Sequence, residues 1–328
     1  MGHALLELDG LSTHYISARG TRVTRAVQEV SLTLEPGQTL GIVGESGSGK
    51  TTLALSILRL LPPAARIVSG ALRFDGEDLL AKSPVEMRRI RGKRIAMILQ
   101  DPMASLNPLF TVGDQVAEPI RVHDHVTRRT AWDRACGLLA SVRIAVPERR
   151  VREYPHEMSG GMRQRIVGAI AISCEPQLLI ADEPTTSLDV TIQAQYLSLL
   201  RDIQRERGLA MIFITHNLGI VARMCDSVAV MYAGRIVESG PVRRIFDAPA
   251  HPYTRALLES IPRLTDIDGR LTAIDGQPPD PAAFPAGCAF HPRCLKALDR
   301  CRVDVPPTWV VGERHTASCW LLDGPPAA

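Results

Sequence analysis

Apolar residues recur along this chain in two different periods, and the alternation of the two predicts its fold class. Short apolar runs, which are typical of buried strands, occur at 40–43, 95–99, 178–181, 211–214 and 228–231. Between the runs, apolar residues recur at helical spacing, for example at 52–61 and within 112–158. Strands that alternate with helices predict an α/β fold with a parallel sheet covered on both faces.

The two ends of the chain depart from this alternation. Near the N-terminus, 5–8 and 26–34 show the pattern of antiparallel strands. After the last strand-like run the sequence becomes rich in proline and carries four of the seven cysteines. We therefore predict a domain at 1–240, with an N-terminal antiparallel β subdomain and a helical subdomain at about 101–160, followed by a small Pro/Cys-rich extension at 241–328.

Composition narrows the function classes. With 328 residues, 45% of them hydrophobic, the chain can bury a large core, and its mild net charge of +3 gives no electrostatic case for a nucleic acid partner. No apolar run approaches the roughly 18 residues of a transmembrane helix, and MGHALLELDG lacks the segments of a secretory signal. We expect a chain that does not cross a membrane by itself, with cysteines that are thiols or metal ligands.

The stretch GIVGESGSGKTTLALSIL at 41–58 predicts a phosphate site, because a strand runs into a helix through a glycine-rich loop. It fits G-x-x-x-x-G-K-[ST], a pattern in which successive backbone N–H groups converge on one anion at a helix N-terminus. Lys50 is predicted to reach the β- and γ-phosphates, and the Thr51 hydroxyl to ligate Mg²⁺. The alternative is a merely glycine-rich turn. The predicted nucleotide-binding residues here are Gly44, Glu45, Ser46, Gly47, Ser48, Gly49, Lys50, Thr51 and Thr52.

A second stretch, LLIADEPTTSLD at 178–189, places two carboxylates at the end of an apolar strand. Adjacent acids in an apolar setting are costly unless they serve a cation. Asp182 is predicted to hold Mg²⁺, as such an acid does in P-loop ATPases, and Glu183 to polarise the water that attacks the γ-phosphate. The alternative is an ordinary strand end with two solvated acids.

A third stretch, HEMSGGMRQR at 156–165, offers another anion-binding helix N-terminus. Ser159, Gly160 and Gly161 precede a helix predicted to start near Met162. Alone, Ser-Gly-Gly is typical of any loop before a helix. One phosphate loop suffices to hold ATP, so this second one suggests contact with the nucleotide held by another copy or a paralogue.

These motifs, in this order, make residues 1–240 resemble the ATPase subunit of an ATP-binding cassette (ABC) transporter, a P-loop NTPase fold. The resemblance implies ATP and Mg²⁺ as cofactors, Tyr15 stacked on adenine, Gln100 sensing Mg²⁺ and the attacking water, and His216 contacting the γ-phosphate. It also implies that the loop from Gln100 to Pro108 contacts a membrane partner. The implied catalytic residues are Glu183, His216 and Gln100; the implied Mg²⁺ ligands are Thr51, Gln100 and Asp182; the implied dimer-interface loop is Ser187, Leu188 and Asp189.

Three positions depart from the family pattern. Met158 and Met162 flank Ser-Gly-Gly, and they are mild departures because SGGMRQR is similar to peptide importers of the family. Asn217 stands where an aspartate is usual, which removes a charge beside His216 and affects hydrogen bonding expected at the dimer interface. Every predicted phosphate and Mg²⁺ contact remains, so we expect hydrolysis.

The C-terminal tail narrows the range of solutes that the transporter could carry. HPYTRALLESIP at 251–262, followed by IDGQPPD and GCAFHPRC, is similar to the C-terminal region of ATPases from dipeptide, oligopeptide and nickel importers. The resemblance implies a peripheral ATPase on the cytoplasmic face of the inner membrane that powers uptake of dipeptides or oligopeptides. Its implied partners are a second ATPase subunit, two transmembrane permease subunits and an extracytoplasmic solute-binding protein, without nucleic acid. Import of nickel or another small solute, a soluble cassette ATPase acting on DNA or ribosomes, and a P-loop kinase remain alternatives.

The tail cysteines suggest a metal site. Some importers of this group carry a cysteine-ligated iron–sulfur cluster in this region, and four thiolates suit a [4Fe-4S] cluster or tetrahedral zinc, with His291 or His315 as extra zinc ligands. Plain buried thiols are the third interpretation. The candidate ligands are Cys288, Cys294, Cys301 and Cys319.

Overall fold

The structure, a computed structural model, describes residues 4–18, 20–186, 188–261 and 274–323. Ser187 of the predicted dimer-interface loop and Pro262 of the predicted tail motif lie outside these ranges. The chain forms two compact units: the first takes the described residues of 1–34, 39–80 and 214–328, and the second takes 35–38 and the described residues of 81–213.

Both units contain β-strands. They are β1 (Leu6–Ile16), β2 (Val23–Leu34), β3 (Thr39–Val43), β4 (Ala65–Phe74), β5 (Glu77–Asp78), β6 (Ile95–Ile98), β7 (Leu178–Asp182), β8 (Ala210–Ile214), β9 (Ser227–Tyr232), β10 (Arg235–Pro241), β11 (Trp309–Gly312) and β12 (His315–Ala317).

Helices connect the strands and cover them. They are α1 (Lys50–Ile57), α2 (Pro84–Ile90), α3 (Pro102–Ser105), α4 (Val112–Asp124), α5 (Arg128–Ser141), α6 (Pro147–Arg150), α7 (Gly160–Ile172), α8 (Val190–Arg207), α9 (Leu218–Met224), α10 (Val242–Asp247) and α11 (Pro252–Glu259). No helix in the described ranges combines the length and apolar character needed to cross a bilayer.

An antiparallel sheet in the first unit has the strand order β2-β1-β4-β5. Leu6 pairs with Leu34 on one side and with Phe74 on the other, and all three side chains are fully buried. Every second residue of β2 from Val30 to Leu34 is buried, so one face of the strand packs on the core. The antiparallel strands predicted near the N-terminus are therefore confirmed.

A second sheet in the first unit combines parallel and antiparallel pairs in the order β11-β12-β10-β9-β3. β3 and β9 are parallel, with Gly41 opposite Val228, whereas β10 runs antiparallel to β9. The hairpin of β11 and β12 then pairs with β10, with Glu238 opposite Ala317. The sequence analysis predicted the parallel pair but not this antiparallel addition from the C-terminal extension.

The second unit holds the parallel strands β6 and β7, with β8 on the other side of β7. Helices α4 and α5 turn buried faces to this unit's core; these faces are Val112, Val116 and Ile120 on α4 and Ala131, Ala135 and Leu139 on α5. The helical pattern predicted within 112–158 thus resolves into α4, α5 and α6.

Two predicted helix starts shift by two residues. The helix expected at 52–61 is α1, which begins at Lys50 because Gly49, in the left-handed region, ends the loop immediately before it. The helix expected near Met162 is α7, which begins at Gly160 because Ser159 caps it. Both corrections move the helix N-terminus onto the predicted anion-binding residues.

Candidate active site

The loop between β3 and α1 is shaped by two glycines that leave no room for a side chain. Gly44 has φ +152°, and a Cβ there would lie 2.1 Å from the Met231 carbonyl oxygen. Gly49 has φ +101°, and a Cβ there would lie 2.1 Å from the Ala26 carbonyl oxygen. Contacts this short are forbidden, so only glycine brings the loop backbone against its neighbours at these positions.

Lys50 folds back into this loop. Its side chain is buried, and Nζ donates hydrogen bonds to the carbonyl oxygens of Gly44 at 2.8 Å and Glu45 at 2.9 Å, and to Ser48 Oγ at 3.3 Å. The loop therefore curls around a positive charge, an arrangement that can hold an anion.

The first turn of α1 adds to this charge. Gly49 caps the helix without a side-chain hydrogen bond, and a helix N-terminus presents N–H groups that favour an anion. The Thr51 side chain is exposed there. Tyr15, on β1, is half-buried and places its hydroxyl 3.4 Å from Thr52 Oγ1, which brings the predicted adenine-stacking residue to this loop.

Two residues of the C-terminal extension also reach the loop, and the sequence analysis did not assign them to the site. The Arg293 guanidinium donates to both carboxylate oxygens of Glu45, at 2.6 and 3.0 Å. The Glu45 N–H donates to Tyr253 Oη at 2.9 Å. In the sequence, these two positions stood out only because the tail resembles that of peptide importers. That resemblance does not indicate a contact with a residue more than two hundred positions away.

In the second unit, β7 delivers the predicted pair of acids. Asp182 ends the strand and is 2% exposed. Glu183 follows in the left-handed region at φ +45°. Its Oε2 accepts hydrogen bonds from Gln100 Nε2 at 3.1 Å and Thr186 Oγ1 at 3.0 Å. The structure thus brings together Gln100 and Glu183, two of the predicted catalytic residues.

The Ser-Gly-Gly segment forms the N-terminus of α7, also in the second unit. Ser159 Oγ accepts a hydrogen bond from the Met162 N–H at 3.3 Å and so caps the helix. A Cβ on Gly161 would lie 2.7 Å from Ile192 Cγ2, whereas one on Gly160 would meet nothing within 4 Å. Of these two glycines, only Gly161 lies so close to α8 that a Cβ would force its neighbour to shift.

His216 and Asn217 lie between β8 and α9 in the first unit. The His216 side chain is exposed, two residues after β8 ends. Asn217 Oδ1 accepts hydrogen bonds from the N–H groups of Gly219 at 2.9 Å and Ile220 at 3.3 Å. The departure at 217 therefore has a local structural role as the N-cap of α9.

The four tail cysteines line one small pocket. Burial, with a smaller contribution from neighbouring thiols, raises the pKa of the Cys288 and Cys294 thiols and raises the pKa of Cys319 to about 11. Among the described residues, however, no three His, Cys, Asp or Glu side chains stand in metal-binding geometry.

The two histidines considered as zinc ligands make other contacts. His315 Nε2 lies 2.8 Å from Glu238 Oε1 in a buried pair, and His291 Nδ1 lies 2.9 Å from the Cys288 carbonyl oxygen. In the described part of the chain all seven cysteines are free thiols. The metal-bound cluster stays a prediction.

Comparisons of the sequence identify relatives over nearly the whole chain. Residues 27–186 match the family described as ABC transporter, and residues 237–301 match the one described as oligopeptide/dipeptide transporter, C-terminal region. A probable peptide ABC transporter ATP-binding protein of Sinorhizobium fredii is 51% identical over 96% of this chain and 94% of its own length. The dipeptide transport ATP-binding protein of Bacillus subtilis is 48% identical over 97% and 95%.

Solved structures agree on the fold. The ATP-binding cassette MJ0796 bound to ADP and Pi, in a dimeric post-hydrolysis state, superposes with a TM-score of 0.65 at 24% identity, over 73% of this chain and 99% of that one. A subunit of the CbiONQ ABC transporter complex of Clostridium perfringens gives 0.62 at 27% identity, over 75% and 92%.

Proposed function

This chain belongs to the ABC transporter family and is an ATPase of it, and from that premise we propose that it powers the uptake of dipeptides or oligopeptides. The observation that carries the proposal is the phosphate loop, in which Gly44 and Gly49 admit no side chain and the Lys50 ammonium is drawn inward. The peptide assignment is supported by the tail, which matches the C-terminal region of oligopeptide and dipeptide transporters, and by relatives named for peptide import.

In this proposal each predicted residue has a task in ATP hydrolysis. Lys50 and the N–H groups of the loop hold the phosphates, and Tyr15 stacks on adenine. Glu183 takes a proton from the attacking water, oriented by the hydrogen bond from Gln100. His216 contacts the γ-phosphate. The remaining nucleotide-binding residues act through their backbone or hydroxyl groups.

The donor set suits Mg²⁺, which prefers oxygen ligands and, when bound, neutralises charge on the β- and γ-phosphates. The Thr51 hydroxyl and the Asp182 carboxylate are such ligands. Gln100 donates through Nε2 to Glu183, which leaves its amide oxygen for the metal. These three residues are the proposed Mg²⁺ ligands.

We propose that two cassettes close head to tail, with Ser159, Gly160 and Gly161 of one chain on the nucleotide held by Lys50 of the other. The partner is a second copy or a paralogue. ATP drives closure because it binds the closed pair more tightly than the open one; a nucleotide bound equally by both states would move nothing. Hydrolysis then resets the pair. Leu188 and Asp189 belong to the proposed interface loop.

The proposed surroundings are two permease subunits, an extracytoplasmic solute-binding protein and the cytoplasmic face of the inner membrane. Support comes from the residues that follow the loop at 100–108: Leu109 and Phe110 are 81% and 54% exposed. Two adjacent apolar side chains in solvent are suited to contact a partner. No nucleic acid partner is proposed.

For the tail thiols we propose a [4Fe-4S] cluster held by Cys288, Cys294, Cys301 and Cys319. The support is chemical, because four thiols line one pocket. Binding would require the buried thiols to lose their protons, so loading should release protons. Visible absorbance together with iron, sulfide and zinc content tests the assignment; zinc alone, or no metal in anaerobically purified protein, would contradict it.

The function is tested with the complex purified from membranes and reconstituted with its permease. We expect peptide to stimulate ATP hydrolysis and to accumulate in vesicles, and Lys50→Ala to abolish both. Stimulation by nickel instead of peptide would reassign the solute. Copurification with DNA or ribosomes would favour a soluble cassette, and a phosphorylated small molecule would favour a kinase.

A further inference from the structure

We propose that Arg293 and Tyr253, from the C-terminal extension, are positioning residues for the phosphate loop and set its affinity for ATP by holding Glu45. The inference rests on the proposed function only in assuming that the loop binds ATP. All of the residues involved lie in the first unit.

Glu45 is fixed at three points by these two residues. Both carboxylate oxygens accept from the Arg293 guanidinium, at 2.6 and 3.0 Å, and the backbone N–H donates to Tyr253 Oη at 2.9 Å. Two parallel hydrogen bonds fix the orientation of a carboxylate as well as its position. The loop residue that follows Gly44 is therefore held by its side chain and its backbone together.

Arg293 cannot follow the loop, because it is itself anchored. Its side chain is 4% exposed. Nε donates to the Asp275 carbonyl oxygen at 2.9 Å and Nη2 to that of Ile274 at 3.3 Å, and the guanidinium lies 5.9 Å from the centre of the Tyr232 ring. The extension thus defines a fixed point to which the loop is attached.

Tyr253 is anchored by burial and ring packing. It is fully buried, with ring centroids 4.5 Å from Tyr232 and 5.3 Å from Phe290. Its hydroxyl is directed at the Glu45 N–H. Since that amide is satisfied by a fixed tyrosine, the loop backbone enters its curve from a defined direction.

The ion pair also has an electrostatic role. A carboxylate in a loop that receives a triphosphate repels it, and repulsion at such distances is strong where water is partly excluded. Arg293 neutralises Glu45 in place. The Glu45 carbonyl oxygen in turn accepts a hydrogen bond from Lys50 Nζ at 2.9 Å, so the clamp reaches the ammonium that is proposed to hold the phosphates.

The test compares Arg293→Gln, Arg293→Lys and Tyr253→Phe in the full chain within its complex, by KM for ATP, kcat and thermal unfolding. We expect Arg293→Gln to raise KM about tenfold or more, while kcat at saturating ATP changes about twofold or less. Arg293→Lys restores part of the affinity, because it keeps the charge but not the bidentate geometry. Tyr253→Phe raises KM less, since it removes one hydrogen bond.

A charge-removal rescue separates the electrostatic part of this role from plain stability. If Arg293 neutralises Glu45, the double variant Arg293→Gln with Glu45→Gln should recover much of the ATP affinity that Arg293→Gln loses. Arg300→Gln is the matched control: it removes an ion-paired arginine of the same extension that contacts Asp323 and Trp320, and KM should not change.

Different experimental outcomes would contradict the positioning role and the proposed function. An unchanged KM in Arg293→Gln and Tyr253→Phe, or a fall in melting temperature alone, would overturn the positioning role. If Arg293→Gln does not fold, Tyr253→Phe with an unchanged KM decides against it. A wild-type chain that binds no ATP, or in which Lys50→Ala binds as well as wild type, would instead overturn the proposed function.

Discussion

Gly47 and Gly49 stand two residues apart in the phosphate loop and obey different constraints. Both have positive φ, at +79° and +101°. A Cβ at Gly47 would meet nothing within 4 Å, whereas one at Gly49 would lie 2.1 Å from the Ala26 carbonyl oxygen. Only the second glycine is required by close packing as well as by backbone conformation.

The matched pair of alanine variants should separate these constraints. Gly47→Ala should cost about 1–2 kcal/mol of stability from the left-handed backbone alone. Gly49→Ala must also move the loop off β2, so we expect ATP affinity to fall more than tenfold, as measured by equilibrium titration. Equal affinities in the two variants would mean that the tight contact at Gly49 does not shape the site.

Glu183 supplies a prediction about chemistry rather than binding. Glu183→Gln keeps an acceptor for Gln100 and Thr186, so ATP binding should be preserved. The general base is lost, so hydrolysis should fall by about 100- to 10,000-fold. Binding by titration and turnover by phosphate release measure the two separately. Glu206→Gln, at an exposed position on α8, is the control, and near-normal turnover in Glu183→Gln would remove Glu183 from its role.

At the residue scale, the sequence predicted the site residues that belong to a local motif. It did not predict the residues that reach the site from distant positions in the chain. Lys50 and the loop glycines follow from one short pattern. The contacts of Arg293 and Tyr253 with Glu45 join positions separated by 248 and 208 residues, and no local rule pairs an arginine with one glutamate among many.

Helix α9 provides a prediction at the scale of an element. Asn217 caps its N-terminus with two hydrogen bonds. Asn217→Ala should lower the free energy of unfolding by about 1 kcal/mol, and Asn217→Asp should preserve it, because an aspartate also caps and its charge favours the helix dipole. Chemical denaturation of the three proteins measures this. If Asn217→Asp is less stable than wild type, the Asn217 side-chain amide must have a role in addition to capping α9.

The junction of α4 and α5 should depend on pH. Asp124, the last residue of α4, is 15% exposed and accepts from Lys93 Nζ at 2.6 Å and from Arg134 Nη1, on α5, at 2.7 Å. The hydrogen bond from Lys93, followed by that from Arg134, lowers the pKa of the Asp124 carboxyl below its ordinary value of 3.8. The carboxylate therefore stabilises the fold above that value and loses its contribution as the pH falls through the lowered pKa.

Asp124→Asn should accordingly destabilise the protein by about 1–2 kcal/mol at neutral pH. The difference from wild type should stay constant down to about pH 5 and shrink below 3.8. Urea denaturation across this range checks it, with Asp133→Asn, at an exposed position of α5, as the control. A difference that persists undiminished in acid would assign the effect to packing instead of charge.

Elements were predictable where a periodic apolar pattern had a clear start or end signal. β3, β7 and β9 are short apolar runs and were found as strands. β11 has a half-exposed pattern, and β10 contains the charged Glu238, so neither shows the signal of a buried strand. Strand β10 pairs with β9 on one side, but its pairing with β12 and the contact of Glu238 with His315 depend on residues about seventy-seven positions later.

At the scale of the whole molecule, ordered motifs identified the family and the ATPase fold better than any secondary-structure pattern did. The phosphate loop, Ser-Gly-Gly and the acid pair occur in one order, and each is local. The division into units was harder to predict, because the first unit collects segments from both ends of the chain. Such grouping depends on long-range packing, which a linear pattern does not display.

The hairpin of β11 and β12, paired with β10, has a practical consequence for anyone trimming this polypeptide. In a fragment that stops at residue 240, β10 would become an exposed edge strand with unpaired backbone N–H and C=O groups. Such an edge promotes self-association. The truncation would also remove His315, the hydrogen-bonding partner of Glu238, and leave the buried Glu238 carboxylate without that contact. A truncated form of this ATPase that is to remain soluble and folded should therefore retain the C-terminal extension.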